Sequence, residues 1–423
     1  MSSDKNLIKK QRVILKPDPH RVVGQFFDPG SAERMHKIAQ RVAGLTDQQV
    51  QELLSRVYRE FGKRHRDFKN MITEHFSKFV RIFPEYDLIT ADRKMLTGAY
   101  FSKEYSFEST ALMNPSMVFF NHGHQASRST VPFIMSLRAV GEGHISSVTF
   151  RSGYLRADGS IVIEKKPVWA TLPGVIIHPL ESAAPVQIRF ARHIPVGERV
   201  LFPLTADECN GIEDVRMVRF VNDDGSVIYY ATYTAYDGKS ISIKLLETTD
   251  FESFKIYRLQ GAAVRNKGLA LFPQKISGKF AMISRQDGEN IYIMYSEHLL
   301  QWDQADVLLV PEFPWEFMQN GNCGSPLKTA EGWLLLTHGV GPFRKYVVSA
   351  ILLDLENPNR IIARLQEPLL CADENERHGY VPNVVYSCGG LIWRKRLILP
   401  YAVSDYATRF ATIELKELYN KMS

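Results

Sequence analysis

The sequence predicts an all-β protein, a five-bladed β-propeller with an N-terminal α-helical extension. Three observations predict it. Helical periodicity is confined to the first part of the chain. After Pro84 the texture changes to short runs of β-branched and aromatic residues, separated by Gly, Asn and Asp turns such as NDDGS and YDGKS. Within that region one kind of strand recurs five times, at spacings of roughly 50 to 65 residues after a longer first gap, as repeated four-stranded blades require. The reading divides the chain into a helical extension, residues 1–100, packing on the propeller or on a neighbouring subunit, and a propeller domain, residues 101–423.

Helix is expected from Ser31 to about Phe83. Ser31 and Thr46 are the expected N-caps, and Gln49 completes a capping box with Thr46 by satisfying otherwise unpaired backbone groups. Val50, Leu53, Leu54, Val57 and Phe61 then follow the i, i+3, i+4, i+7 rhythm of one helix face. Such a face has to be buried, either on the main domain or in an oligomer interface.

The recurring strands are PFIMSLRA from Pro132, IYYATYTA from Ile228, KFAMISRQ from Lys279, GWLLLTHG from Gly332 and RLILPYAV from Arg396. Each is preceded by another strand, in NPSMVFF, EDVRMVRF, KGLALFPQ, GSPLKTA and PNVVYS. The innermost strands of a propeller line its central channel. Asn114, Asp214, Lys267, Ser325 and Asn383, which open these strands, are therefore expected to converge, with a second ring from Arg138, Thr234, Arg285 and His338. The competing reading is that such residues are merely solvated or bonded to turns.

Bulk properties exclude several classes. The net charge of +6 comes from 52 basic and 46 acidic residues spread along the chain, so no nucleic-acid partner is expected. Four scattered cysteines, without CxxC or zinc-type spacing, predict free thiols and no metal. No apolar window has the length of a secretion signal or a membrane span, and the expectation is a cytoplasmic protein with no membrane partner.

The segment NGIEDVRMVRFV sets Glu213, Asp214 and Arg216 at the head of an apolar strand. Strand alternation would place Asp214 and Arg216 on one face and Glu213 on the other. By itself this fits a buried ion pair as well as a catalytic group. GIEDVRM, however, resembles the GxEDxR motif of glycoside hydrolase family 130, the inverting phosphorylases and hydrolases of β-mannosides. ALMNPSMV, FIMSLRAVGEG, NKGLALFPQKISGKFAMISR, GWLLLTHGV, YVVSAILLDLENPNRIIAR, ERHGYVPNVVYSCG and YAVSDYATRFATIEL resemble further family segments in family order, over about residues 105 to 420. The chain departs from the pattern at Val215, where Pro is usual, and in VGEGHISSVTFRSG, which adds Glu142, His144 and Arg151.

The resemblance implies a five-bladed propeller with Asp214 as general acid, its proton relayed through a mannose hydroxyl. It further implies that Arg138, Lys267 and Arg285 hold phosphate. Asn114, Glu213, Arg216, His338, Tyr346, Glu376 and Asp405 are the implied substrate contacts, Glu376 or Asp405 also being a candidate base. Phosphate is already a nucleophile and needs only cations and donors; water needs a second carboxylate. The expected activity is thus phosphorolysis of a β-mannoside oligosaccharide with inversion, giving α-mannose 1-phosphate and a free sugar. No cofactor is expected beyond inorganic phosphate as co-substrate, and a homo-oligomer is expected. The alternatives are an inverting β-mannosidase on the same fold and a non-catalytic sugar-binding propeller.

Overall fold

The computed structural model describes residues 7–120, 129–179 and 184–423. Every candidate site residue lies within them, whereas the first six residues of the stretch examined for a secretion signal lie outside. The fold is mostly β.

Helices occupy Ala32–Ala43 (α1), Asp47–Phe61 (α2), Phe68–Val80 (α3) and Ala91–Tyr100 (α4). Both expected caps form. The Ser31 hydroxyl accepts from the Arg34 amide at 3.2 Å, and Thr46 and Gln49 exchange the two bonds of a capping box. Val50 and Leu54 of α2 are buried with Val42 and Leu96, while Phe61 stays 38% exposed. Helical structure runs past Pro84 because Pro occupies the first turn of a short 3-10 segment, and Thr90 then precedes α4.

Two elements of the first hundred residues are not helical. Ile8–Leu15 is a strand, paired antiparallel with Ala407–Glu414 near the end of the chain. A second short strand, Val23–Phe26, pairs with Ser102–Tyr105.

All five recurring segments form long strands within antiparallel meanders. Thr130–Val140 lies between Ala111–Phe119 and Ser146–Arg156. Val227–Tyr236 lies between Gly211–Val221 and Ile241–Thr248, and a parallel pairing of Gly211 with Ser146 joins these two meanders into one eleven-stranded sheet. Phe280–Ser284, Trp333–Gly341 and Arg396–Val403 occupy the corresponding places in sheets of four, five and five strands.

The apolar faces of these meanders pack in sequence. Phe150, Ile212, Met217 and Leu246 join the first to the second; Val218, Leu245, Leu271 and Met294 join the second to the third. Phe272, Ile293, Trp333 and Ile351 continue to the fourth, and Leu336, Val348, Leu399 and Ala411 to the fifth. Leu112, Met117 and Phe133 then meet Ile398 and Phe410, so that the fifth meander packs on the first. Each large side chain so buried contributes on the order of 2 kcal/mol. The packing brings the heads of strands distant in sequence to one place.

Candidate active site

The first strands of the first two meanders share an irregularity. In Ala111–Phe119 the register shifts between Met113 and Ser116, and in Gly211–Val221 between Glu213 and Arg216. At the bulges Asn114 has φ 50° and Asp214 has φ 52°. Asn and Asp tolerate this left-handed backbone better than other residues that carry a Cβ. The bulge interrupts strand alternation. Glu213 and Asp214 therefore both reach Arg138, and the expectation that Asp214 and Arg216 share a face against Glu213 is corrected.

Asn114 donates from Nδ2 to Asp214 Oδ1 at 2.6 Å. Arg138 donates to Glu213 Oε1 at 2.8 Å, to Asp214 Oδ1 at 3.4 Å and, through Nε, to Ser146 Oγ at 3.1 Å. Lys267 Nζ lies 2.6 Å from Glu213 Oε2. Asn114, Arg138, Glu213, Asp214 and Lys267 line a cavity of about 330 Å³, whose other walls include Arg285, His338, Tyr346 and Asp405.

Arg285 Nη1 lies 3.3 Å from His338 Nε2, and the His338 ring stacks on Tyr346 with centroids 5.7 Å apart. A guanidinium can only donate, so Nε2 accepts and the proton sits on Nδ1. Burial, Arg285 and Arg216 hold the His338 pKa well below the ordinary value, leaving the ring neutral at pH 7. Arg285 Nε and Asn114 Oδ1 are buried polar atoms without a hydrogen-bond partner among the described residues. Such atoms are costly unless a ligand uses them.

The two aspartates of the cavity are driven apart. Burial pushes Asp214 up, but Arg138, Arg216, the Asn114 amide and Lys267 together hold it below the usual aspartate value. Asp405 is pushed up to about 6, by burial first and by Asp214 as well, against the pull of Arg138 and Arg344. The pair thus carries a tightly held negative charge and, near pH 6, a proton.

Of the candidate residues, Asn114, Arg138, Glu213, Asp214, Lys267, Arg285, His338, Tyr346 and Asp405 meet in this cavity. Two do not. Arg216 lies behind the wall, its guanidinium donating to the Asn322 carbonyl at 3.0 Å and to the Tyr386 hydroxyl at 2.7 Å. Glu376 is 1% exposed, accepts from Lys10 Nζ at 2.7 Å and the Tyr401 hydroxyl at 2.9 Å, and is not part of the cavity's lining.

Ser325 opens on a different cavity, shared with Met217 and Leu391, and the Asn383 side chain accepts from Arg377. Arg151 is buried against Glu108. Asn266, Gln319, Arg344, Val384 and Tyr386 line the cavity and were missed. Arg344 had a sequence signal, since it stands two residues before Tyr346 in the turn that follows the His338 strand.

Among the described residues, no group of three or more His, Cys, Asp or Glu side chains is placed to hold a metal ion, and no helix is long and apolar enough to cross a membrane.

Carboxylates faced by cations, with one buried donor and one buried acceptor left without a partner among the described residues, make this meeting of β-strand heads a site for a polar ligand, and the family and relatives of the chain make the protein an enzyme that acts on glycosides. The chain belongs to glycoside hydrolase family 130: the family's model, described as beta-1,4-mannooligosaccharide phosphorylase, matches residues 175–423. A 1,2-beta-oligomannan phosphorylase of Thermoanaerobacter sp. (strain X514) is 34% identical over 218 residues, 51% of this chain and 72% of the relative. A beta-1,2-mannobiose phosphorylase of Listeria innocua serovar 6a is 29% identical over 248 residues, 56% of this chain and 68% of the relative. The solved structure of a Listeria innocua beta-1,2-mannobiose phosphorylase in complex with beta-1,2-mannobiose superposes with a TM-score of 0.54 at 20% identity, covering 74% of this chain and 92% of that one.

Proposed function

We propose that the protein is a β-mannoside phosphorylase that uses inorganic phosphate to cleave a β-mannoside oligosaccharide with inversion, releasing α-mannose 1-phosphate and a free sugar. The observation that carries this reading is the cavity's charge. Four cationic side chains, Arg138, Lys267, Arg285 and Arg344, face three carboxyls, and Arg285 keeps a buried donor unpartnered. Clustered cations of this kind suit an anionic nucleophile, which they would hold in line with the sugar's anomeric carbon. An attacking water would need a free carboxylate base. Glu376, one candidate for that role, is committed to Lys10 and Tyr401.

In this reading Asp214 is the general acid. The cations that hold its proton affinity down are those proposed to bind phosphate, Arg138 and Lys267. A phosphate dianion offsets their charge, so its arrival raises the proton affinity of Asp214 and arms the acid. The Asn114 amide fixes the carboxylate, and Asn114 and the neutral His338 orient sugar hydroxyls. Asp405, protonated near pH 6, can donate a hydrogen bond to the sugar. The Tyr346 ring, stacked on His338, offers an apolar face to a pyranose.

The unbroken order of packing, with the fifth meander on the first, supports a five-bladed propeller spanning residues 101–423. The strand Ile8–Leu15 would complete its last blade, and the helices between Ala32 and Tyr100 would form the extension. The half-exposed α2 face is consistent with a homo-oligomer, and the free thiols with a cytoplasmic setting.

Incubation of the protein with β-mannobiose at increasing phosphate concentration tests the function. Phosphate-dependent α-mannose 1-phosphate is expected; release of mannose at full rate without phosphate would assign a mannosidase.

A further inference from the structure

Three turns at the cavity end of the meanders share an unusual backbone. After Thr130–Val140, Gly143 and His144 have φ 67° and 61°. After Trp333–Gly341, Phe343 and Arg344 have φ 56° and 55°, and after Arg396–Val403, Ser404 and Asp405 have φ 48° and 47°. Two successive left-handed residues make the tight turn that Asn-Gly usually supplies. Here five of the six positions carry a Cβ, which makes that backbone costly.

Burial does not offset that cost in the first two turns, although Ser404 of the third is buried. Phe343 is 98% exposed, and both His144 and Arg344 are exposed. Two of the turns place their second left-handed residue, Arg344 and Asp405, on the cavity wall. His144 holds the corresponding second left-handed position in the remaining turn. Its ring stacks on Tyr380 with centroids 5.7 Å apart and planes 28° from parallel, and its Nδ1 lies 3.1 Å from the Tyr380 hydroxyl.

Both sides of this pair are anchored. The Tyr105 hydroxyl donates to the Glu142 carbonyl at 2.6 Å, fixing the first turn. Val381 N donates to the Ser404 carbonyl at 3.0 Å, fixing Tyr380 beside Asp405. Tyr380 remains 49% exposed and therefore keeps ring surface available.

We propose that His144 and Tyr380, with Arg344, form a saccharide-binding platform at the cavity mouth that takes the leaving-group sugar in phosphorolysis and the acceptor sugar in synthesis. The aromatic pair offers surface for the C–H face of a pyranose, and Arg344 and the Tyr380 hydroxyl offer donors to its hydroxyls. This inference rests on the phosphorylase reading and names the part of the site that selects the second substrate.

The test uses the full chain in the synthetic direction, with α-mannose 1-phosphate as donor and mannose or mannobiose as acceptor. His144→Gly relieves the left-handed strain, so the fold should be as stable as wild type or more so. It is nevertheless expected to raise the acceptor KM about tenfold, the loss of roughly 1.4 kcal/mol of binding, with the donor KM little changed. Tyr380→Ala should do the same. Acceptor KM values within about twofold of wild type in both variants, or donor and acceptor KM rising together, would overturn the platform while leaving the phosphorylase reading intact. A wild-type protein that makes no product with either acceptor would overturn the phosphorylase reading and the platform with it.

Discussion

Asp214 combines burial, a left-handed backbone and four neighbours that favour its charged form. Asp214→Asn keeps the shape and deletes the proton donor. Steady-state kinetics should then show kcat lower by roughly 10²- to 10⁴-fold, with the protein still folded. Asp405 behaves in the opposite sense. Its folded pKa, about 6, stands above the ordinary 3.8, so the folded chain binds the extra proton between those values and this group's contribution falls as pH rises through that window. Asp214, held low, contributes stability above the ordinary aspartate range and loses it as pH falls through its folded pKa. Asp405→Asn should therefore raise stability at pH 7 by about 1 to 3 kcal/mol and flatten the pH dependence between 4 and 6, as denaturant titrations at several pH values would show. It should lower activity at the same time, the usual relation between a functional site and stability. Asp214 itself was legible through its motif, but the side on which it lies was not. Strand alternation carries no information about a bulge, and the available clue was that Asn114 and Asp214, the residue types most tolerant of positive φ, open equivalent strands.

Sequence periodicity located the elements that carry their own local signal: the caps of α1 and α2, and the five long strands. It did not locate the strand Ile8–Leu15, whose pattern of partly buried and exposed residues becomes a strand only by pairing with a segment about four hundred residues away. That pairing explains why Glu376 stands outside the cavity lining. Its carboxylate matches a family position, yet it is held by Lys10 of this strand, a partner that local sequence cannot reveal. Lys10→Ala would leave Glu376, 1% exposed, with the Tyr401 hydroxyl and a more distant Arg409. Stability should fall by about 1 to 3 kcal/mol in urea unfolding, less than for a fully buried pair because Lys10 is itself partly exposed. The KM for phosphate should stay unchanged, since Lys10 touches no cavity residue. A rise in that KM would show instead that Glu376 communicates with the site.

At the scale of the whole molecule, five meanders packed in order gather side chains from Asn114 to Asp405 around one cavity. The identity of the ring was legible because each meander repeats a strand. Val384 and Tyr386 were not legible as site residues, because their membership depends on which strand heads meet. If the cations of this cavity bind phosphate, the ion should protect the fold by mass action. At a hundred times its Kd it would add about 2.7 kcal/mol, a rise of a few degrees in Tm that Lys267→Ala should abolish and Asp214→Asn should retain. The most direct measurement follows the products of β-mannobiose cleavage by NMR, with and without phosphate. Appearance of α-mannose 1-phosphate in proportion to phosphate, and no turnover in its absence, is the predicted result. Free mannose released at an undiminished rate in phosphate-free buffer would contradict it.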